Sequence, residues 1–204
     1  MKATVVIPAR YGSSRFPGKP LARMIGKPMI QWVYERSREA RGIGEVIVAT
    51  DDERIRQAVE DFGGWVQMTS PAHETGTDRI AEVAQALSSE IIVNVQGDEP
   101  LIRPDMIESA LQPFEMDPSL MMATLKAPLT SAEEWANPHV VKVVVDLQDF
   151  ALYFSRSPIP FDRDANEPGI LGRPSAAGCF KHIGLYVYRR DFLLKFARLS
   201  PTPL

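Results

Sequence analysis

Residues 3–20 read A-T-V-V-I-P-A-R-Y-G-S-S-R-F-P-G-K-P. The first six form a short run rich in β-branched side chains, the pattern of a strand buried on both faces of a parallel sheet. The strand runs out into a loop that gathers Arg10, Arg15 and Lys19 with Gly12 and Gly18. In open α/β sheets ligands sit outside the carboxyl ends of the strands, so these cations stand at a ligand-binding edge. Glycine lets backbone approach phosphate oxygens, arginine offers a fork of donors and lysine a point charge. The loop therefore suits an anion, a polyphosphate above all, with a merely solvated basic loop as the plain alternative. It is neither G-x-x-x-x-G-K-[ST] nor G-x-G-x-x-G, which counts against kinase-type and dinucleotide readings.

Beyond this loop, strand and helix signals alternate. Pro28 opens a helix whose inner face takes Met29, Val33 and Ser37 or Ala40. A strand is expected over 45–50, a helix over 53–62 capped by Asp51-Asp52 and ended by Gly63-Gly64, and a strand over 65–68. A helix over 77–87 and the apolar strand 91–95 complete a βαβαβ series. That alternation argues for an α/β fold, a Rossmann-like unit with a mainly parallel, mixed central sheet. Beyond Pro104 come a helix over 104–114, a strand over 121–126, a short helical piece over 132–136, and two β segments over 140–146 and 151–154. The link 147–149 suits a hairpin. Residues 155–177 carry no period and read as a long functional loop or lid. A strand over 179–189 and a helix over 191–199 close the chain. The pattern divides into a nucleotide-binding part, 1–126, and a smaller β-rich part, 127–204, unless the two form one continuous domain.

Composition bounds the function. With 204 residues, 45% hydrophobic and 24% charged, the chain has ample material for a core. A formal charge of −3 offers no general attraction for nucleic acid, which makes the basic loop a local device. Cys179 is the only cysteine, no apolar run approaches the about 20 residues of a membrane span, and no signal segment precedes the first strand. A cytoplasmic protein without membrane insertion is the expectation. His73, His139 and His182 are scattered, so neither a zinc spacing nor a nucleophile triad is present.

The loop R-Y-G-S-S-R-F-P-G-K-P resembles the signature loop of the sugar nucleotidyltransferases, in the spacing of the cytidylyltransferases that activate acidic sugars. V-N-V-Q-G-D-E-P at 93–100 is similar to the second motif of the 3-deoxy-manno-octulosonate (Kdo) cytidylyltransferases. So are G-T-D-R at 76–79, Asn137-Pro138 with V-K-V-V at 141–144, A-L-Y-F-S-R-S-P-I-P at 151–160 and H-I-G-L-Y at 182–186. The resemblance implies transfer of CMP from CTP to the anomeric hydroxyl of Kdo, in lipopolysaccharide synthesis, by a Mg2+-dependent homodimer. Another acidic sugar such as a sialic acid, or nucleotide binding without turnover, are the alternatives. Members of the family usually continue past this chain's last residue with a segment that supplies a second metal-binding aspartate.

Each motif residue then has an expected role. Nucleotidyl transfer is mostly positioning and charge neutralisation. Arg10 and Lys19 are expected on the triphosphate, Arg15 on its outer phosphates or the leaving pyrophosphate. Asp98 is the Mg2+ candidate, since hard cations take carboxylate oxygens; a polar turn before a helix is the bland reading of G-D-E-P. Gln96 can both donate to and accept from a pyrimidine edge or ribose. The resemblance adds backbone contacts from Pro8 and Ala9 to cytosine and contacts from Thr77 and Arg79, whose turn otherwise reads as a helix cap. For the acceptor, Arg156 suits a carboxylate clamp. His182 and Tyr186 share one strand face, and Asn137 contacts acceptor or ribose or merely caps a helix.

Overall fold

A computed structural model describes residues 2–12, 16–160, 178–200 and 202. The Arg15 assignment, and the expected lid beyond Pro160, lie outside them. The chain forms two compact units, one of residues 1–123 and 185–204, the other of residues 124–184. The sequence reading divides the chain at 126/127. The last twenty residues, however, cluster with the first unit, because the end of the last strand pairs there.

In the first unit, β1 (Ala3–Ala9) is the central strand, and every residue of it but Pro8 is buried. It pairs in parallel with β4 (Ile43–Thr50) on one side and β6 (Ile91–Asn94) on the other, while β5 (Trp65–Met68) extends β4 in parallel. Residues Tyr186–Arg189 of β10 (Phe180–Arg189) run antiparallel beside β6. The sheet is thus mixed and mainly parallel, as expected. From β1 the chain steps outward to β4 and β5, then crosses back to lay β6 against the other side of β1. The strand order therefore reverses between β1 and β6, and their carboxyl ends flank the crevice that this topology offers to ligands.

The crossover helices are specified locally. Helix α1 (Met29–Arg38) buries Ile30, Val33, Tyr34 and Ser37, a one-sided stripe. Helix α2 (Glu53–Asp61) is capped by Asp52, whose carboxylate accepts from Arg54 N at 2.9 Å. Helix α3 (Gly76–Gln85) has a full capping box between Thr75 and Asp78, and it sets Ile80, Val83 and Ala84 into the core with Val6, Ile47, Ile92 and Tyr188. Helix α4 (Pro104–Met116) follows β6 and α6 (Arg190–Phe196) follows β10.

The sequence reading differs from the structure before α1. Pro28 is an extended residue ahead of the helix, and it belongs to a two-stranded ribbon of β2 (Arg23–Met24) and β3 (Lys27–Pro28). The two turn residues, Ile25 (φ 50) and Gly26 (φ 82), both have positive φ, the requirement of a two-residue hairpin turn. Glycine signals such a turn; isoleucine hides it.

In the second unit, which β7 (Met122–Pro128) enters, α5 (Ala132–Ala136) is capped by Ser131. Strands β8 (Lys142–Val145) and β9 (Ala151–Ser155) form the expected antiparallel hairpin, with Asp146 Oδ1 accepting from Gln148 N at 2.9 Å and Phe150 N at 2.8 Å across its turn. Phe180 and Lys181 pair with Val143 and Lys142 on the other edge of β8.

Ile25 is 92% exposed, so nothing packs to repay its left-handed backbone. Ile25→Asn should stabilise the protein by about 1 kcal/mol in denaturant unfolding, since asparagine tolerates that region and a β-branched side chain does not. A loss of stability would show that the turn is not strained.

Candidate active site

The crevice between the ends of β1 and β6 is built around Pro8. A Cβ on Gly97 would lie 2.9 Å from the Pro8 carbonyl oxygen, and one on Gly76 would lie 3.3 Å from Pro8 Cγ. Glycine lets the loop after β6 approach the end of β1 so closely, and at the start of α3 a side chain would need the Pro8 ring to give by a few tenths of an ångström. The result is a cleft of about 300 Å3 walled by Pro8, Ala9 and Arg10, by His73, Glu74, Thr75, Gly76 and Arg79, and by Gln96. Gln96 Nε2 donates to Asn94 Oδ1 at 2.9 Å, which orients its amide at the cleft.

Beside this cleft the two most informative motifs meet. Lys19 sits on a short 3-10 turn (Lys19–Leu21) entered through Gly18, whose left-handed φ of 72 favours glycine and whose missing Cβ leaves room for the Tyr11 ring. Gly18 N donates to Tyr11 O at 2.9 Å, and the Arg54 guanidinium stacks 3.2 Å from the Tyr11 ring centroid, so the base of the loop is anchored to α2. From that turn Lys19 Nζ reaches Asp98 Oδ2 at 2.7 Å across 79 residues of sequence. With side chains 35% and 51% exposed, the pair contributes little to stability. Its importance is positional, a cation and a carboxylate at one sheet edge. Next to it, partial burial and then the charge of Asp98 hold Glu99 above the usual carboxylate range.

Arg79 and Thr77 have other partners. Arg79 is 4% exposed, paired to Asp51 Oδ2 at 3.0 Å and hydrogen-bonded to Thr69 Oγ1. Its charge is already matched, and it ties the start of α3 to the end of β4. Thr77 is hydrogen-bonded to the phenol of Tyr188, whose pKa burial drives far upward, while Thr75, Gly76 and Arg79 line the cleft here.

Of the expected acceptor residues, Asn137, Arg156 and His182 belong to the second unit and Tyr186 to the first. Asn137 ends α5, and its Oδ1 accepts from His139 N at 2.9 Å, the bland reading of that residue. Arg156 is exposed, with Nη1 donating to Pro138 O at 2.9 Å. His182 Nε2 lies 2.8 Å from Thr124 Oγ1, its ring meets Phe154 edge-on, and burial holds its pKa below the ordinary value, which leaves it neutral at pH 7. Tyr186 stacks on Tyr188 against the sheet core, and burial raises its pKa.

The profile of the cytidylyltransferase family matches residues 4–204. This chain belongs to the cytidylyltransferases. Among its curated relatives, the 3-deoxy-manno-octulosonate cytidylyltransferase of Geobacter metallireducens is 59% identical, with 100% of this chain and 81% of that protein covered. The enzyme of the same name from Halorhodospira halophila is 51% identical over 98% of this chain and 79% of that protein. A solved structure of CMP:2-keto-3-deoxy-manno-octonic acid synthetase complexed with CTP superposes with a TM-score of 0.90 at 51% identity, covering 100% of this chain and 80% of that one. The 4-diphosphocytidyl-2C-methyl-D-erythritol synthase of Anaerococcus prevotii, at 12% identity and a TM-score of 0.59, shares the fold alone; the alignment covers 98% and 78% of the two chains.

The geometry of this cytidylyltransferase also assigns residues that its sequence did not single out. Asn94 orients Gln96, and the alternation in V-N-V-Q, which sets both on one strand face, was the available signal. Asp51 neutralises Arg79, a pairing with no local signature. Among the described residues no three His, Cys, Asp or Glu side chains group to hold a metal ion, so a site at Asp98 would draw on at most two such side chains. That fits Mg2+, which takes one or two carboxylates and completes its shell with phosphate oxygens and water.

Gly97→Ala should cut kcat/KM by roughly 10²-fold, because its Cβ must push the loop bearing Gln96 and Asp98 off the Pro8 carbonyl. CTP binding by calorimetry should weaken in parallel. Unchanged kinetics in the alanine variant would show that the close approach is not needed.

Proposed function

We propose that this chain transfers CMP from CTP to the anomeric hydroxyl of 3-deoxy-manno-octulosonate, releasing pyrophosphate, for lipopolysaccharide assembly. The observation that carries the reading is the meeting of Lys19 and Asp98 at the reversal point of the sheet, next to the cleft walled by Pro8 and Gln96. The names of the relatives and of the solved CTP complex agree with it.

In the reaction the anomeric oxygen attacks the α-phosphorus, the bond from that phosphorus to the bridging oxygen breaks, and pyrophosphate leaves with the displaced electron pair. The hydroxyl proton passes to solvent. Arg10, on the cleft wall, and Lys19 neutralise the triphosphate and the charge that develops on the leaving group. Lys19 exchanges Asp98 for phosphate oxygens as nucleotide arrives. Asp98 would hold Mg2+ through a carboxylate oxygen, and the bound ion would screen phosphate charge. Gln96, held by Asn94, and the Pro8-Ala9 backbone read the cytosine or its ribose. Arg156 clamps the acceptor carboxylate as a fork of donors.

The β8–β9 hairpin leaves Leu147, Phe150, Leu152, Tyr153 and Phe154 exposed, at 98%, 58%, 66%, 49% and 40%, and we assign this apolar strip to a homodimer contact. Among the described residues no helix is long and apolar enough to cross a membrane, and we place the enzyme in the cytoplasm.

The test is pyrophosphate release with CTP and a panel of acidic sugars. Kdo should support turnover at least about 10²-fold better than a sialic acid; equal rates would put specificity elsewhere, and CTP binding with no turnover on any acceptor would make the chain a nucleotide-binding protein. Lys19→Ala and Arg10→Ala should each lower kcat/KM by roughly 10²-fold with little change in melting temperature, since both side chains are partly or fully exposed. Arg156→Ala should raise the acceptor KM far more than the CTP KM. Equal effects on the two substrates would argue against the clamp.

A further inference from the structure

Lys142, in β8, is fully buried. Its Nζ donates to three backbone carbonyls, those of Asn137 at 2.9 Å, Val140 at 2.7 Å and Arg156 at 2.8 Å. An ammonium has three N–H donors and no acceptor, so the three carbonyls take up its whole capacity. Two of them belong to the turn 137–140, in which Val140 N also donates to Asn137 O at 3.1 Å, and the third belongs to Arg156. The Arg156 guanidinium then returns to the same turn, Nη1 donating to Pro138 O at 2.9 Å. Backbone and side chain of Arg156 are both fastened to one turn, and Lys142 closes the ring.

A buried cation is an expensive way to fill space. Burial, and after it the charge of Arg156, hold the Lys142 ammonium below its ordinary pKa. Where only packing is required, a methionine of similar length serves at lower cost. What a methionine cannot do is bind three carbonyls and so hold two separate segments in one arrangement.

We infer that Lys142 is a positioning residue for acceptor binding, fixing the Arg156 backbone and the 137–140 turn so that the guanidinium is held ready for the sugar carboxylate. The inference rests on the assignment of Arg156 as the carboxylate clamp. A guanidinium ordered in advance binds without the entropic cost of being ordered by its ligand.

The experiment compares Lys142→Met, Arg156→Ala and the double variant in steady-state kinetics with CTP and Kdo, after calorimetry with CTP has shown each protein to be folded. Lys142→Met should raise the acceptor KM by about tenfold or more while leaving the CTP KM within about twofold. The double variant should be no worse than Arg156→Ala alone, because both changes act through one guanidinium. An unchanged acceptor KM in Lys142→Met beside an impaired Arg156→Ala would overturn the positioning role and leave the clamp standing. Unchanged acceptor KM in both would remove the clamp itself. If Lys142→Met yields no CTP-binding protein, Lys142→Gln takes its place in the same comparison. Failure of both to bind CTP would make Lys142 a requirement for folding and overturn the inference.

Discussion

The approach of two glycine backbones to Pro8 is the constraint on which the site depends. Pro8 stands at the end of a strand paired on both edges and buried along nearly its whole length, so it cannot move without disturbing the sheet. Gly97 meets its carbonyl and Gly76 its ring. Those contacts fix where the loop after β6 and the first turn of α3 stand, and with them Gln96, Asp98 and Thr75. The reversal of strand order between β1 and β6 opens the crevice; the glycines decide how narrow it is.

Charge is distributed around this contact in two ways. Arg79 is buried and matched by Asp51, so it serves the architecture by tying α3 to β4. Lys19 and Asp98 are matched to each other while half exposed, an arrangement cheap enough to be exchanged for a ligand. One basic side chain therefore holds the scaffold, and another stays available to phosphate. Lys142 repeats the first pattern in the second unit, with carbonyls in place of a carboxylate.

Much of this was legible in the sequence. The β-branched runs gave the parallel strands, Asp51-Asp52 gave the start of α2 and the G-T-D-R turn that of α3 to within a residue, and the spacing of the basic loop and of Q-G-D-E gave the sheet edge. What was hidden depends on distant partners or on atypical residues. The β2–β3 ribbon escaped because isoleucine occupies a position usually marked by asparagine or glycine. The return of β10 to β6, which moves the last twenty residues into the first unit, is a choice of neighbour that no local pattern records. Within V-V-K-V-V nothing local marks Lys142 as a buried tie, because its three acceptors are carbonyls and carry no side-chain signature. The resemblance puts Thr77 and Arg79 at the nucleotide, while their partners Tyr188 and Asp51 lie far off in sequence and leave no local sign.

The central claim is that the crevice around Pro8 holds the cytidine nucleotide. A crystal structure of this protein with CTP and Mg2+ tests it most directly. The account predicts the pyrimidine against Pro8, Ala9 and Gln96, with the triphosphate running past Arg10 and Lys19 and the ion on Asp98. Nucleotide lodged instead in the hollow lined by Glu90, Arg189, Arg190, Asp191 and Lys195, with the cleft at Pro8 empty, would contradict it.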